Sequence, residues 1–147
     1  MPPLPELNTA PMADLVQELR TYLVSDGTVT AAVALRIYQD RLPQGMNTMP
    51  AVVLDEISGG DNQEIGGVSV IVTTRIRARC YADTPSGAAS VRQLIRVLMA
   101  PYRGAMGTVF ICDVELSGKG NGIDPPIDGG DQTWRPYKWQ DFLFTHR

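Results

Sequence analysis

The chain has 147 residues, enough for one domain with or without an arm and too few for two full domains. It is 44% hydrophobic, 20% charged and 7% aromatic, which excludes a disordered, collagen-like or coiled-coil polypeptide. Its formal charge of −3, from 13 Lys+Arg against 16 Asp+Glu, excludes a global basic field, so any nucleic-acid contact has to be local.

Residues 1–11 carry prolines at positions 2, 3, 5 and 11. Proline and the residue before it avoid the helical well, so this segment is expected to be an extended arm ahead of a single domain spanning 12–147. Leu15, Val16, Leu19, Tyr22 and Leu23 then recur at helical spacing and predict a helix of about three turns. Thr9 is a candidate cap, and Ser25-Asp26-Gly27 is its stop. The apolar piece Val29–Leu35 adds a helical turn or two before Arg36-Ile37-Tyr38 becomes extended.

Pro50 opens a strand over Ala51–Ile57, halted by Ser58-Gly59-Gly60-Asp61-Asn62. From Gly66-Gly67 to Ala82 runs the strongest alternation, with Val68, Val70, Val72, Ile76, Ala78 and Cys80 on one face. Thr73, Arg75, Arg77, Arg79 and Tyr81 lie on the other. Thr84-Pro85 then reads as a helix start, an oxygen cap before a proline in the first turn. The stripe Ala88, Val91, Ile95, Leu98, Met99, Tyr102 continues that helix as far as Gly104.

Two more strands close the chain. In Thr108–Leu116, Phe110, Cys112, Val114 and Leu116 alternate against Val109, Ile111, Asp113 and Glu115. In Trp134–Thr145, Lys138, Gln140, Phe142 and Phe144 alternate against Tyr137, Trp139, Asp141 and Leu143. Between them Ser117–Thr133, rich in Gly, Pro and Asp, is expected to be a long partner-contacting loop. The fold class that follows is α+β: an antiparallel sheet of about four strands with two main helices packed on one face.

Chemistry-bearing motifs are missing. There is no Walker loop, dinucleotide fingerprint, His-Glu-x-x-His or nucleophile elbow. His146 is the lone histidine, which removes the commonest general base from nearly the whole chain. Gly118-Lys119-Gly120-Asn121-Gly122 lacks the glycine spacing and the hydroxyl residue of a phosphate cradle. The aspartates at 124, 128 and 131 are expected to be solvated and not to hold a cation. Cys80 and Cys112 are too few for a disulfide framework or a structural zinc site and are expected to be buried thiols. No catalytic residue, metal or cofactor is therefore assigned. No apolar run reaches a membrane span and the first residues show no targeting pattern, so synthesis and assembly in the cytoplasm are expected.

The feature that asks for an explanation is the ladder of Arg75, Arg77 and Arg79. Three guanidinium groups on one strand face repel unless negative groups oppose them. Pairing with Asp113, Glu115 or Asp141 inside the chain, a subunit interface made by this face together with Asp113 and Glu115, and local nucleic-acid binding all answer that demand. An excess of eleven arginines over two lysines suits an interface, since a planar fork grips carboxylates in pairs.

Several blocks resemble the tail-terminator, or tail-completion, proteins of long-tailed bacteriophages. They are Arg36-Ile37-Tyr38-Gln39-Asp40-Arg41-Leu42-Pro43-Gln44-Gly45 with Pro50–Leu54 and Ile57–Gly60, then Arg77–Thr84 leading into the helix that ends at Tyr102-Arg103-Gly104, and the closing Trp139–Phe144. The resemblance spans most of residues 12–147 and rests on order and spacing. It implies a structural virion protein of the tail or neck, without enzymatic activity, membrane or cofactor. It further implies a ring-forming homo-oligomer, a hexamer, that caps the tail tube, stops its polymerisation and meets a head-tail connector or head-completion protein. Other neck rings and a small nucleic-acid-binding module are the alternative readings. A compact 147-residue domain is roughly 38 Å across, and six in contact leave an opening of about 38 Å, wide enough for DNA to pass without specific binding. Ser58, Gly60, Asp61 and Asn62, with Lys119, Asn121, Asp124 and Asp128, are the candidate partner-contacting positions.

Overall fold

The computed structural model describes residues 15–43, 48–64, 67–125 and 134–147, with side chains described outside 60–70. The expected arm at 1–11, the Thr9 cap and Asp128 lie outside the described residues. The elements run α1 (Leu15–Ser25), α2 (Gly27–Val33), β1 (Ile37–Gln39), β2 (Ala51–Glu64), β3 (Gly67–Tyr81), α3 (Pro85–Met99), β4 (Gly104–Met106), β5 (Val109–Asp124) and β6 (Arg135–His146).

Local chemistry sets the helix boundaries. Asp26 ends one helix and starts the next: its carboxylate accepts from the Thr28 N–H at 2.9 Å and the Val29 N–H at 3.1 Å. Thr84 caps α3 through the Gly87 N–H at 3.1 Å, with Pro85 in the first turn. α2 stops at Ala34, whose φ of 54° is costly for a residue with a Cβ. It is held there by the Arg36 N–H donating to the Val33 carbonyl at 3.0 Å.

The architecture is mixed α+β as expected, but among the described residues the sheet has six strands and not about four, in the order β1-β2-β3-β6-β5-β4. The two additions are three-residue edge strands, too short to show a period. β1 pairs with β2 in parallel, and the other pairings are antiparallel. β3 and β6 form the centre, and α3 crosses over both before the chain reaches the far edge at β4.

Helices lie on one side. Leu15, Val16, Leu19 and Leu23 of α1, Val29 and Val33 of α2, and Val91, Ile95 and Met99 of α3 meet Val52, Leu54, Ile76, Ala78, Cys80, Phe142 and Phe144 in one core. Each fully buried aliphatic or aromatic side chain stabilises by about 1.5–3 kcal/mol, so this cluster dominates the energetics. Cys80 lies entirely inside it, and burial pushes its thiol up to about 12. It is a packed, unreactive thiol.

The expected stop at Ser58–Asn62 and the first part of the expected loop at Ser117–Thr133 are strand, and residues 126–133 of that loop lie outside the described residues. β2 does not halt at Ser58 but continues through two register shifts to Glu64, and β5 does not end at Leu116 but continues to Asp124. The glycines that suggested termination are paired within the ladder, Gly59 with Thr74 and Gly118 with Asp141, and the bulges between Glu56 and Ser58 and between Leu116 and Gly118 each absorb one extra residue and keep it going. A bulge between Ile111 and Asp113 also breaks the expected alternation of β5. Val109 and Ile111 are buried, then Val114, whereas Phe110 and Leu116 are about 40% exposed.

Candidate functional site

The sheet face away from the helices carries the arginine ladder, and the pairing register places its counter-charges. Asp55 of β2 and Asp141 of β6 stand directly opposite Arg77 on its two sides. Asp141 is fully buried. Its two oxygens accept from Arg77 Nε at 2.8 Å and Arg75 Nε at 2.9 Å, and Arg75 Nη2 lies 2.8 Å from Oδ2. Asp55 takes Arg79 Nε at 2.7 Å. The hydrogen bond it donates to Asp141 raises the Arg77 guanidinium above its ordinary value and keeps it cationic.

The network continues along the face. Arg79 Nη1 donates to the Tyr81 hydroxyl at 2.7 Å, and that hydroxyl donates to Asp124 at 2.7 Å. Burial, then the bond to Asp124, raises the Tyr81 phenol, so it stays a neutral relay between cation and anion. Arg77 Cζ also sits over the Trp139 ring, 3.9 Å from its centroid. Tyr81 and Tyr137 pack with centroids 5.0 Å apart.

The floor under those rings is glycine. Gly118, Gly120 and Gly122 of β5 face the same side, and Gly120 and Gly122 sit opposite Trp139 and Tyr137. A Cβ on Gly120 would stand 2.5 Å from the indole, and one on Gly122 would run into the Tyr137 ring. The Gly-x-Gly-x-Gly run is therefore a strand whose missing side chains let two aromatics lie across it, a packing device and not an anion cradle.

The candidate interface residues thus divide. Arg75 and Arg77 share Asp141, and Arg79 is held by Asp55. Asp113 lies on the same face but pairs at 2.6 Å with Arg103, and Glu115 is exposed. Of the candidate loop residues, Ser58 is exposed in β2 opposite Arg75, while Gly60, Asp61 and Asn62 belong to the same strand. Lys119 is exposed in β5, Asn121 accepts from Lys138 at 2.8 Å, and Asp124 is engaged by Tyr81. Sequence reasoning missed Asp55 and the glycine floor. The alternation on β2 and the period-two glycines held the signal, but reading it required the register.

Through its described residues the face can neutralise charge, stiffen the sheet and present a shape. Among the described residues no group of three or more His, Cys, Asp or Glu is placed to hold a metal ion. No described helix is long and apolar enough to cross a membrane.

The family model described as "Tail completion protein gp17" matches residues 17–125. Among solved structures, a chain described as "Virion of native gene transfer agent (GTA) particle" is similar in fold. It has a TM-score of 0.66 at 12% identity, covering 90% of this chain and 95% of that one. No curated protein matches.

Proposed function

The chain belongs to the tail completion protein gp17 family, and from that premise we propose that copies of it form the ring that terminates a phage tail. The coarser role follows from the family itself: a structural, virion-associated component of the tail or neck that assembles with other virion proteins and is not an enzyme. The finer reading is a hexamer that caps the tail tube, stops its polymerisation and docks on a head-tail connector or head-completion protein. DNA passes through its lumen without specific binding.

The observation that carries this reading is the family match across 17–125, which takes in the helical core and the ladders from β1 to β5. The stiff outer face adds support. A ring needs two different complementary patches on each protomer. The face bearing Arg75, Arg77 and Arg79 with Asp113 and Glu115 supplies one. The partner-contacting positions are Ser58, Gly60, Asp61 and Asn62 of β2, Lys119, Asn121 and Asp124 of β5, and Asp128. Electron micrographs of tails made with and without the chain test the proposal. Overlong, headless tubes are expected in its absence; tubes of normal length joined to heads would overturn it.

A further inference from the structure

The helices cover their own side of the sheet unevenly. α1 packs on β1, β2 and β4, and α3 on β3 and β6, so the second half of β5 is only thinly covered by helix. Leu116 is 40% exposed on that strand and Ile123 61%, and Trp134, just ahead of β6, is 59% exposed. Cations surround these apolar groups. Lys119 is exposed, Lys138 lies opposite Asn121, and Arg92 reaches over from α3 to the Gly120 carbonyl. α3 contains no Asp or Glu, and Asp113, Glu115 and Asp124 of β5 lie on the outer face. The result is a basic, apolar shelf.

A second feature extends past the end of β6. β6 ends opposite Val72 at His146, yet the β2–β3 ladder continues through Gln63 opposite Val68 to Glu64 opposite Gly67. The overhang is a two-stranded ribbon of roughly 15–20 Å at ~3.3 Å per residue. Such a ribbon is marginal in water and needs a surface to lie on. Between Ser58 and Thr74 the sequence holds Asp61 and Glu64, no basic residue, and the apolar run Val68, Val70, Ile71, Val72.

We propose that the acidic ribbon of one copy lies across the basic shelf on β5 of the next. Charge selects this pairing: shelf on shelf, or ribbon on ribbon, would place like charges together, while ribbon on shelf joins opposite charges around apolar contacts. The contact is head-to-tail, so it repeats around a ring. It rests on the tail-ring reading and names which parts of adjacent copies meet. The exposed Leu116, Ile123 and Trp134 favour a protein segment over duplex DNA, the other polyanion that cations attract.

The test uses assembled tails. One chain carries Asp61→Cys and a second Lys119→Cys, both with Cys112→Ser so that the half-buried native thiol is absent. Tails produced with both chains are treated with a short bis-maleimide. Covalent dimers are expected from this combination and not from Asp61→Cys with Thr21→Cys at an exposed position of α1. Lys119→Glu alone is expected to reduce completed tails about tenfold, and Asp61→Lys with Lys119→Glu to restore them. Tails that contain the chain but give no dimer above the α1 control, or no rescue by the double reversal, overturn the contact and leave the tail role standing. Purified tails lacking the wild-type chain overturn the role itself. Retention of duplex DNA by the wild-type chain, lost in Lys119→Glu, assigns the shelf to DNA and overturns the proposal.

Discussion

Asp141 holds two guanidinium groups on one fully buried carboxylate, while the arginines keep 36% and 30% of their side chains in contact with solvent. Removing the acid strips both cations of their partner, but water can reach them, so the cost falls at the low end of that for a broken buried pair. Asp141→Ala is expected to lower the unfolding free energy by about 3 kcal/mol, read from denaturant titration. A loss under about 1 kcal/mol would show that the arginines are held by solvent. Gly120 makes a steric claim of the same kind. Gly120→Ala has to displace the Trp139 ring and is expected to cost about 1–3 kcal/mol in thermal unfolding. Gly27→Ala, with nothing within 4 Å of the added carbon and a helical backbone, is expected to hold or raise stability by up to about 1 kcal/mol. Equal effects at the two positions would refute the packing role of the glycine floor.

At the scale of elements, the amphipathic helices and the long central strand carry the core. Ile95 is 1% exposed and packs between helix and sheet, so Ile95→Ala is expected to cost about 2–5 kcal/mol, from lost burial and the cavity left behind. A change near zero would place the α3 stripe outside the core. The helices were legible because caps and 3.6-residue periodicity act over a few neighbouring residues, as at Asp26 and Thr84. β3 was legible because Ile76, Ala78 and Cys80 alternate with three arginines. β1 and β4 were not, since three residues carry no period and hold their place through partners at Val52–Leu54 and Val109–Ile111. The distal halves of β2 and β5 read as loops because glycine and aspartate discourage strands locally, whereas ladder pairing with β3 and β6 overrides that preference.

In the whole molecule, stability is distributed unevenly between a six-stranded sheet under helices and a ribbon that leaves it. Hydrogen exchange is expected to show the slowest amides at Val52, Ile76 and Phe142. Those at Gln63 and Val68 should exchange about a hundredfold faster or more in the lone chain. In assembled tails the ribbon amides are expected to slow, because a neighbour then covers them. Ribbon amides as slow as the central ladder in the lone chain would mean that the overhang supports itself.

The sequence by itself determined the α+β class, the three helical segments, the faces of the central and closing strands, and membership of a structural phage family without catalytic chemistry. The class, helices and strand faces are written in local periodicity and capping residues, and the family in the order and spacing of the blocks that resemble it. Only the tertiary structure decided the strand count, the strand character of the two glycine-rich stretches and the partners of the arginines. Arg77 and Asp141 are 64 residues apart, and Arg75 and Asp141 are 66. Their meeting depends on β6 inserting between β3 and β5, and register between distant strands is settled by packing of the common core, which no short stretch of sequence encodes.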